Sequence, residues 1–114
     1  MKIILKRIYE KPASTDGIRI LVDRLWPRGV SKERAELDGW LKDIAPTTEL
    51  RKWFNHDPEK WAGFQRKYKV ELSKNMGAIA EFREIVKQSR TVTLLYAAKD
   101  EEHNEAIVIK HFLT

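Results

Sequence analysis

The chain has 114 residues, 42% of them hydrophobic, and a formal charge of +5 with a pI near 9.5. That length suits one domain, residues 1–114, with an ordinary core. No run approaches the roughly 18 apolar residues of a membrane span, and the absence of cysteine excludes disulfides, thiolate zinc sites and a cysteine nucleophile.

Lys2, Lys6 and Arg7 interrupt the first apolar stretch, which lacks the pattern of a signal peptide. A cytoplasmic location is therefore expected. The basic balance favours anionic partners, either phosphates and nucleotides or nucleic acid. The 17 acids are dispersed, so there is no basic tail.

Residues 3–8 read as a short strand, and residues 12–17 (Pro-Ala-Ser-Thr-Asp-Gly) carry turn chemistry. A second strand is expected over residues 18–25, forming a hairpin with the first or lying beside it in one sheet. Pro27 and Gly29 stop it. Residues 31–44 are ambiguous. Ser31 suits a cap, and Leu37, Trp40, Leu41 and Ile44 recur at helical spacing, but Asp38 and Gly39 interrupt them. Thr47 or Thr48 is expected to cap a short helix through Phe54.

Asp57-Pro58 is a stronger start signal, an acidic cap followed by proline at the first helical position. Trp61, Phe64, Tyr68 and Leu72 then define one helix face. After a break at residues 75–77, Ile79, Phe82, Ile85 and Val86 mark another helix, ending near Ser89. Residues 91–98 form a nearly continuous apolar run, as expected of a strand covered on both faces. A turn at Lys99-Asp100 leads to a last helix over residues 101–113, with Ala106, Ile109 and Leu113 inward. The pattern predicts a single α/β domain with a small, mostly parallel sheet flanked by helices in a Rossmann-like three-layer arrangement.

Three clusters carry candidate chemistry. In Val22-Asp23-Arg24-Leu25-Trp26-Pro27-Arg28-Gly29 a strand ends in an acid, two arginines and a tryptophan. Arg28 suits a phosphate or carboxylate, and Trp26 suits stacking on a ring or plugging the core. Asp23 and Arg24 are either site residues or a structural ion pair. In the second cluster, residues 53–58, His56 and Asp57 form a candidate acid–base pair, although Asp57 as a helix cap accounts for them equally well. The third is the strand–turn–helix around Tyr96, Lys99, Asp100, His103 and Asn104. There the amides of a helix start would suit an anion, with Asp100 also a candidate cap for the last helix. His56, His103 and His111 lack the close spacing of metal ligands, so no metal site is expected.

Residues 21–32 (Leu-Val-Asp-Arg-Leu-Trp-Pro-Arg-Gly-Val-Ser-Lys), 53–58 (Trp-Phe-Asn-His-Asp-Pro) and 94–100 (Leu-Leu-Tyr-Ala-Ala-Lys-Asp), with His103-Asn104, resemble the short bacterial branch of the domain of unknown function 488 family, the YeaO-like proteins. The resemblance implies a small cytoplasmic α/β protein and supplies no reaction. Longer relatives carry a Cys-His-Arg cluster where this chain has His103-Asn104. The comparison supports a site at that turn but removes thiol chemistry here. Some relatives are described as transcriptional regulators, yet this sequence has no helix-turn-helix pattern.

The residues together point to a small enzyme or ligand-binding domain for a phosphorylated or nucleotide-like anion, sited at the C-terminal ends of the strands. Asp23, His56 and His103 would handle protons. Arg24, Trp26, Arg28, Tyr96, Lys99, Asp100 and Asn104 would bind the ligand. The alternative is a non-catalytic nucleic-acid or regulatory module, suggested by the basic residues Lys60, Arg66, Lys67, Lys69 and Lys74 on the long helix. No cofactor is named by any motif.

Overall fold

The computed structural model describes residues 1–114. Strands β1 (Lys2–Arg7), β2 (Ile18–Leu21), β3 (Gly39–Trp40) and β4 (Thr91–Tyr96) form one sheet in the order β1-β4-β2-β3, with every pairing parallel. The last strand in the chain is central. Residues 92–96 are all buried, as the continuous apolar run requires.

The first two strands are not neighbours, and they form no hairpin. β4 pairs with β1 on one side and with β2 on the other. Parallel strands need a crossover rather than a tight turn. Residues 8–17 provide it, with a 3-10 turn at Ser14–Asp16. The crossover presses on the central strand: the Thr93 hydroxyl donates to the Asp16 carbonyl (2.7 Å). Gly17 has φ +66°, and a Cβ there would lie 2.2 Å from the Thr91 carbonyl oxygen, so the position accepts only glycine.

β2 is also shorter than its apolar pattern. Its ladder ends at Leu21, although the Val22 amide still donates to the Leu95 carbonyl (3.1 Å). Beyond it the Asp23 carboxylate, not backbone, accepts the Ala97 amide (2.9 Å). A side chain has taken over the ladder, and the backbone is free to turn toward Pro27.

Helices α2 (Thr48–Phe54), α3 (Trp61–Lys74), α4 (Met76–Val86) and α5 (Glu105–Leu113) supply the main core. It joins Ile20, Val22, Val92 and Leu94 to Phe64, Tyr68, Phe82 and Ile109. The other face carries a thinner layer, in which Leu21 and Leu95 pack against Ile8, Val30 and Ala35, with Trp26 and Trp40 alongside. The ambiguous residues 31–44 contribute Ala35, Leu37 and Trp40 to that layer, and Leu41 and Ile44 to the main core. They form a one-turn helix α1 (Lys32–Ala35), strand β3 and a 3-10 turn at Lys42–Ile44. Ser31 caps α1 by accepting the Arg34 amide (3.1 Å).

Asp16 is buried beneath the crossover with Arg19, and both Arg19 and Lys6 are paired with it. Arg19 also donates to the Ala35 (2.8 Å) and Glu36 (3.1 Å) carbonyls, closing the end of α1. Burial pushes the Asp16 carboxyl up. The Ala13 amide, Lys6 and Arg19 outweigh that and hold it below its ordinary value.

Local signals place most helix starts. Thr47 caps α2 by accepting the Leu50 amide (3.2 Å). Asp57 accepts the Glu59 amide (3.0 Å), and Pro58 opens a 3-10 turn that runs into α3. Asn75 alone separates α3 from α4, which stops at Val86, three residues short of Ser89. The last helix starts later than its pattern suggests. Asn104, not Asp100, caps α5 by accepting the Ile107 amide (3.2 Å). Asp100 instead accepts the Glu102 (2.9 Å) and His103 (3.0 Å) amides, so residues 101–104 are a turn held by its side chain. His103 therefore precedes the helix.

Candidate functional site

At the C-terminal end of the sheet, β2 delivers Asp23 and Arg24 while β4 and its turn deliver Glu105, the first residue of α5. Asp23 is held three ways. Its carboxylate accepts the Ala97 amide (2.9 Å), its carbonyl accepts the Trp40 indole N–H (2.7 Å), and it lies within hydrogen-bonding reach of the Glu105 carboxyl. Two carboxylates cannot share such a position unless a proton lies between them. Burial, then the charge and hydrogen bond of Asp23, push Glu105 well above its ordinary value; its own amide and Arg51 of α2 oppose this without overcoming it. The pair offers a donor beside an acceptor, and Glu105 keeps its proton at pH values where an exposed glutamate has lost it.

Asp23 and Arg24 do not form an ion pair. The Arg24 guanidinium donates to the Ala45 (3.1 Å) and Pro46 (3.2 Å) carbonyls. Beside it the Tyr68 hydroxyl donates to the Ile44 carbonyl. Burial raises the Tyr68 phenol far above its ordinary value, and Glu105, once ionised, and Glu71 add to this, so it remains a neutral donor. Arg24 and Tyr68 also line an open cleft of about 330 Å³ between the 3-10 turn, the start of α2 and the end of α3. Thr47, Glu71, Lys74 and Asn75 complete its polar wall.

A second group forms the rim. The His103 ring Nδ1 lies 2.8 Å from the Asp100 carboxylate and the ring meets Trp61 edge-on, centroids 5.2 Å apart. The Glu102 amide, then the His103 side chain, lower the Asp100 carboxyl. Asn104 is buried, and its amide donates back to the Asp100 carbonyl (3.0 Å), so it serves the turn. His56 is exposed in a left-handed stretch (Asn55 φ 47°, His56 φ 53°), with its ring 6.5 Å from Phe54, which neighbours Trp61. Neither histidine hydrogen-bonds to the Asp23–Glu105 pair.

The remaining candidates lie apart. Trp26 packs edge-on against Trp40 (5.3 Å) and donates to the Val30 carbonyl (2.7 Å), covering the thinner core layer. Arg28 is exposed, and only its carbonyl is engaged, by the Tyr9 hydroxyl (3.0 Å). Tyr96 is buried, and burial followed by Glu101 and Glu10 raises its phenol. Lys99 is exposed at the turn and forms no ion pair. No three histidine, aspartate or glutamate side chains converge as a metal site would require.

Sequence reasoning missed Glu105, Arg51 and the polar role of Tyr68. Tyr68 looked like one more apolar position on α3, but its hydroxyl donates to the Ile44 carbonyl in the cleft wall. Glu105 carried one usable signal: it directly follows a capping asparagine at the end of the strongest strand. Arg51 carried none.

The family described as the inactive DUF488-N3 subclade matches residues 2–114. The uncharacterised protein YeaO of Escherichia coli K12 is 42% identical over 113 residues, covering 99% of this chain and 97% of its own. An uncharacterised protein of Mycobacterium bovis and one of Mycobacterium tuberculosis are each 37% identical over 112 residues, covering 98% of this chain and 93% of theirs. No solved structure matches.

Proposed function

The chain belongs to the DUF488-N3 family, in its inactive subclade, and we propose that it binds a small anionic compound without turning it over. The observation that carries this reading is the cleft in which the half-buried Arg24 guanidinium sits beside the neutral Tyr68 hydroxyl. Arg24 would take a phosphate or carboxylate group, since a guanidinium fork suits either. Lys74 at the mouth would add charge.

Two observations favour binding over catalysis. The histidines that would have moved protons are tied to the rim or left exposed, away from the pair. The family description calls the subclade inactive. Open α/β sheets gather ligands outside the carboxyl ends of their strands, which is where these groups meet.

The test is a thermal-shift series with inorganic phosphate, pyrophosphate and nucleoside monophosphates. A ligand at 100 times its Kd stabilises the native state by about 2.7 kcal/mol, a rise of several degrees. The shift is expected to vanish in Arg24→Gln and to shrink in Lys74→Ala, whose side chain is exposed and has no structural partner. A shift unchanged in both variants, or no shift with any of these compounds, would remove the reading.

A further inference from the structure

We infer that the outward face of α3, with Trp53 of α2 laid against it, is a docking surface for single-stranded nucleic acid. Apart from Lys74, which also stands at the mouth of the cleft, this rests on different residues from the cleft. Lys60, Gly63, Lys67, Val70 and Lys74 recur at spacings of three and four, which places them in one stripe along the helix. Trp53 crosses this stripe at Gly63: a Cβ at that glycine would lie 2.8 Å from the indole, so the missing side chain is what lets the ring lie so close. The Lys67 and Lys60 ammonium groups stand 4.7 and 5.3 Å from the ring centroid. The indole stays 38% exposed and Val70 52%.

The charge is unspent. Residues 48–74 carry seven basic and four acidic side chains, a surplus of +3 out of the chain's +5. None of those basic groups forms an ion pair, since the ion pairs of the molecule lie elsewhere. Lys60, Lys67 and Lys74 are seven residues apart, so they rise about 10 Å at each step along the helix. A row of cations at regular intervals matches a partner with regularly repeated negative charge.

The exposed indole distinguishes among such partners. A membrane surface would require a broad apolar face beside the lysines, whereas only Trp53 and Val70 are offered. Paired bases hide their faces from a ring on an exposed helix, while unpaired bases stack on aromatic side chains above a basic track. A single strand satisfies both features.

The experiment is fluorescence anisotropy of a labelled 20-nucleotide oligo(dT) titrated with the full chain from 50 to 300 mM salt. Three phosphate contacts predict a slope of log affinity against log salt of about −2. Lys60→Glu/Lys67→Glu is expected to weaken binding at least tenfold at 50 mM salt. The charge-matched Lys2→Glu/Lys32→Glu, on β1 and α1, is expected to weaken it no more than twofold. Lys67→Glu alone, whose ammonium only touches the Trp53 ring, gives the same reading if the double variant is misfolded by circular dichroism. Equal loss in the two double variants would reduce the effect to net charge and overturn the proposal. So would no binding at 50 mM salt, or binding to phosphatidylserine vesicles without binding to the oligonucleotide.

Discussion

Asp16→Ala is expected to lower stability by about 3–5 kcal/mol, the range for breaking a buried ion pair by removing one partner. For a domain of this size that is a fall in Tm of roughly 15 °C. Asp16 is 3% exposed and Arg19 5%, so the abandoned guanidinium would stay out of water with its charge uncompensated. The loss would spread. Lys6 of β1 loses its carboxylate, the Ala13 amide loses its acceptor, and the crossover loosens over β4 where the Asp16 carbonyl takes the Thr93 hydroxyl. Asp16→Asn keeps the shape and one acceptor and should fall between. The dependence on pH separates charge from packing. A carboxyl held low in the folded state contributes stability above its unfolded pKa of about 3.9 and loses it as pH falls through the folded value. Urea midpoints should therefore differ most between wild type and Asp16→Asn at pH 7, and the gap should close toward pH 2. A gap that persists undiminished would assign the effect to packing alone.

What was legible in the sequence follows from the range of the interaction involved. Caps at Ser31, Thr47 and Asp57 depend on an amide two or three residues away, and each is where its residue type suggests. The burial of β4 was legible because covering both faces leaves an unbroken apolar run. Strand order was not. Nothing local in β1 or β2 tells that a strand seventy residues later will separate them, and the turn residues at 12–17 serve a crossover as well as they serve a hairpin. Asp100 and Asn104 compete for one task. Both are capping residues in front of α5, and the choice falls to Asn104 because Asp100 is already engaged with the turn and His103. The site divides in the same way. Asp23 stood out because an acid ends an apolar strand, while its partner Glu105 is eighty-two positions away and on any surface would be an ordinary helix-start glutamate.

Glu105→Gln is expected to raise stability at neutral pH, an unusual outcome for replacing a half-buried acidic side chain. Glutamine keeps the shape and still donates to Asp23, but it needs no proton to do so. The sign follows from linkage. The unfolded glutamate titrates near 4.3, and the folded one well above its ordinary value. Between those two points the native state holds the extra proton, so stability is full below about pH 4.3 and falls as pH rises through the folded value. Each tenfold excess of proton affinity in the folded state is worth about 1.4 kcal/mol. The variant should therefore melt above wild type at pH 8 and with it at pH 4. Coincident melts at both values would mean that Asp23 and Glu105 ionise independently. Asp16 and Glu105 pull in opposite directions: the first loses stability as acid is added, the second as it is removed. A domain governed by both should be most stable in mildly acidic solution, and Glu105→Gln should move that optimum toward neutrality. Holding an acid at a pH where water would ionise it makes the fold less stable, so the pair works against the fold at neutral pH instead of supporting it.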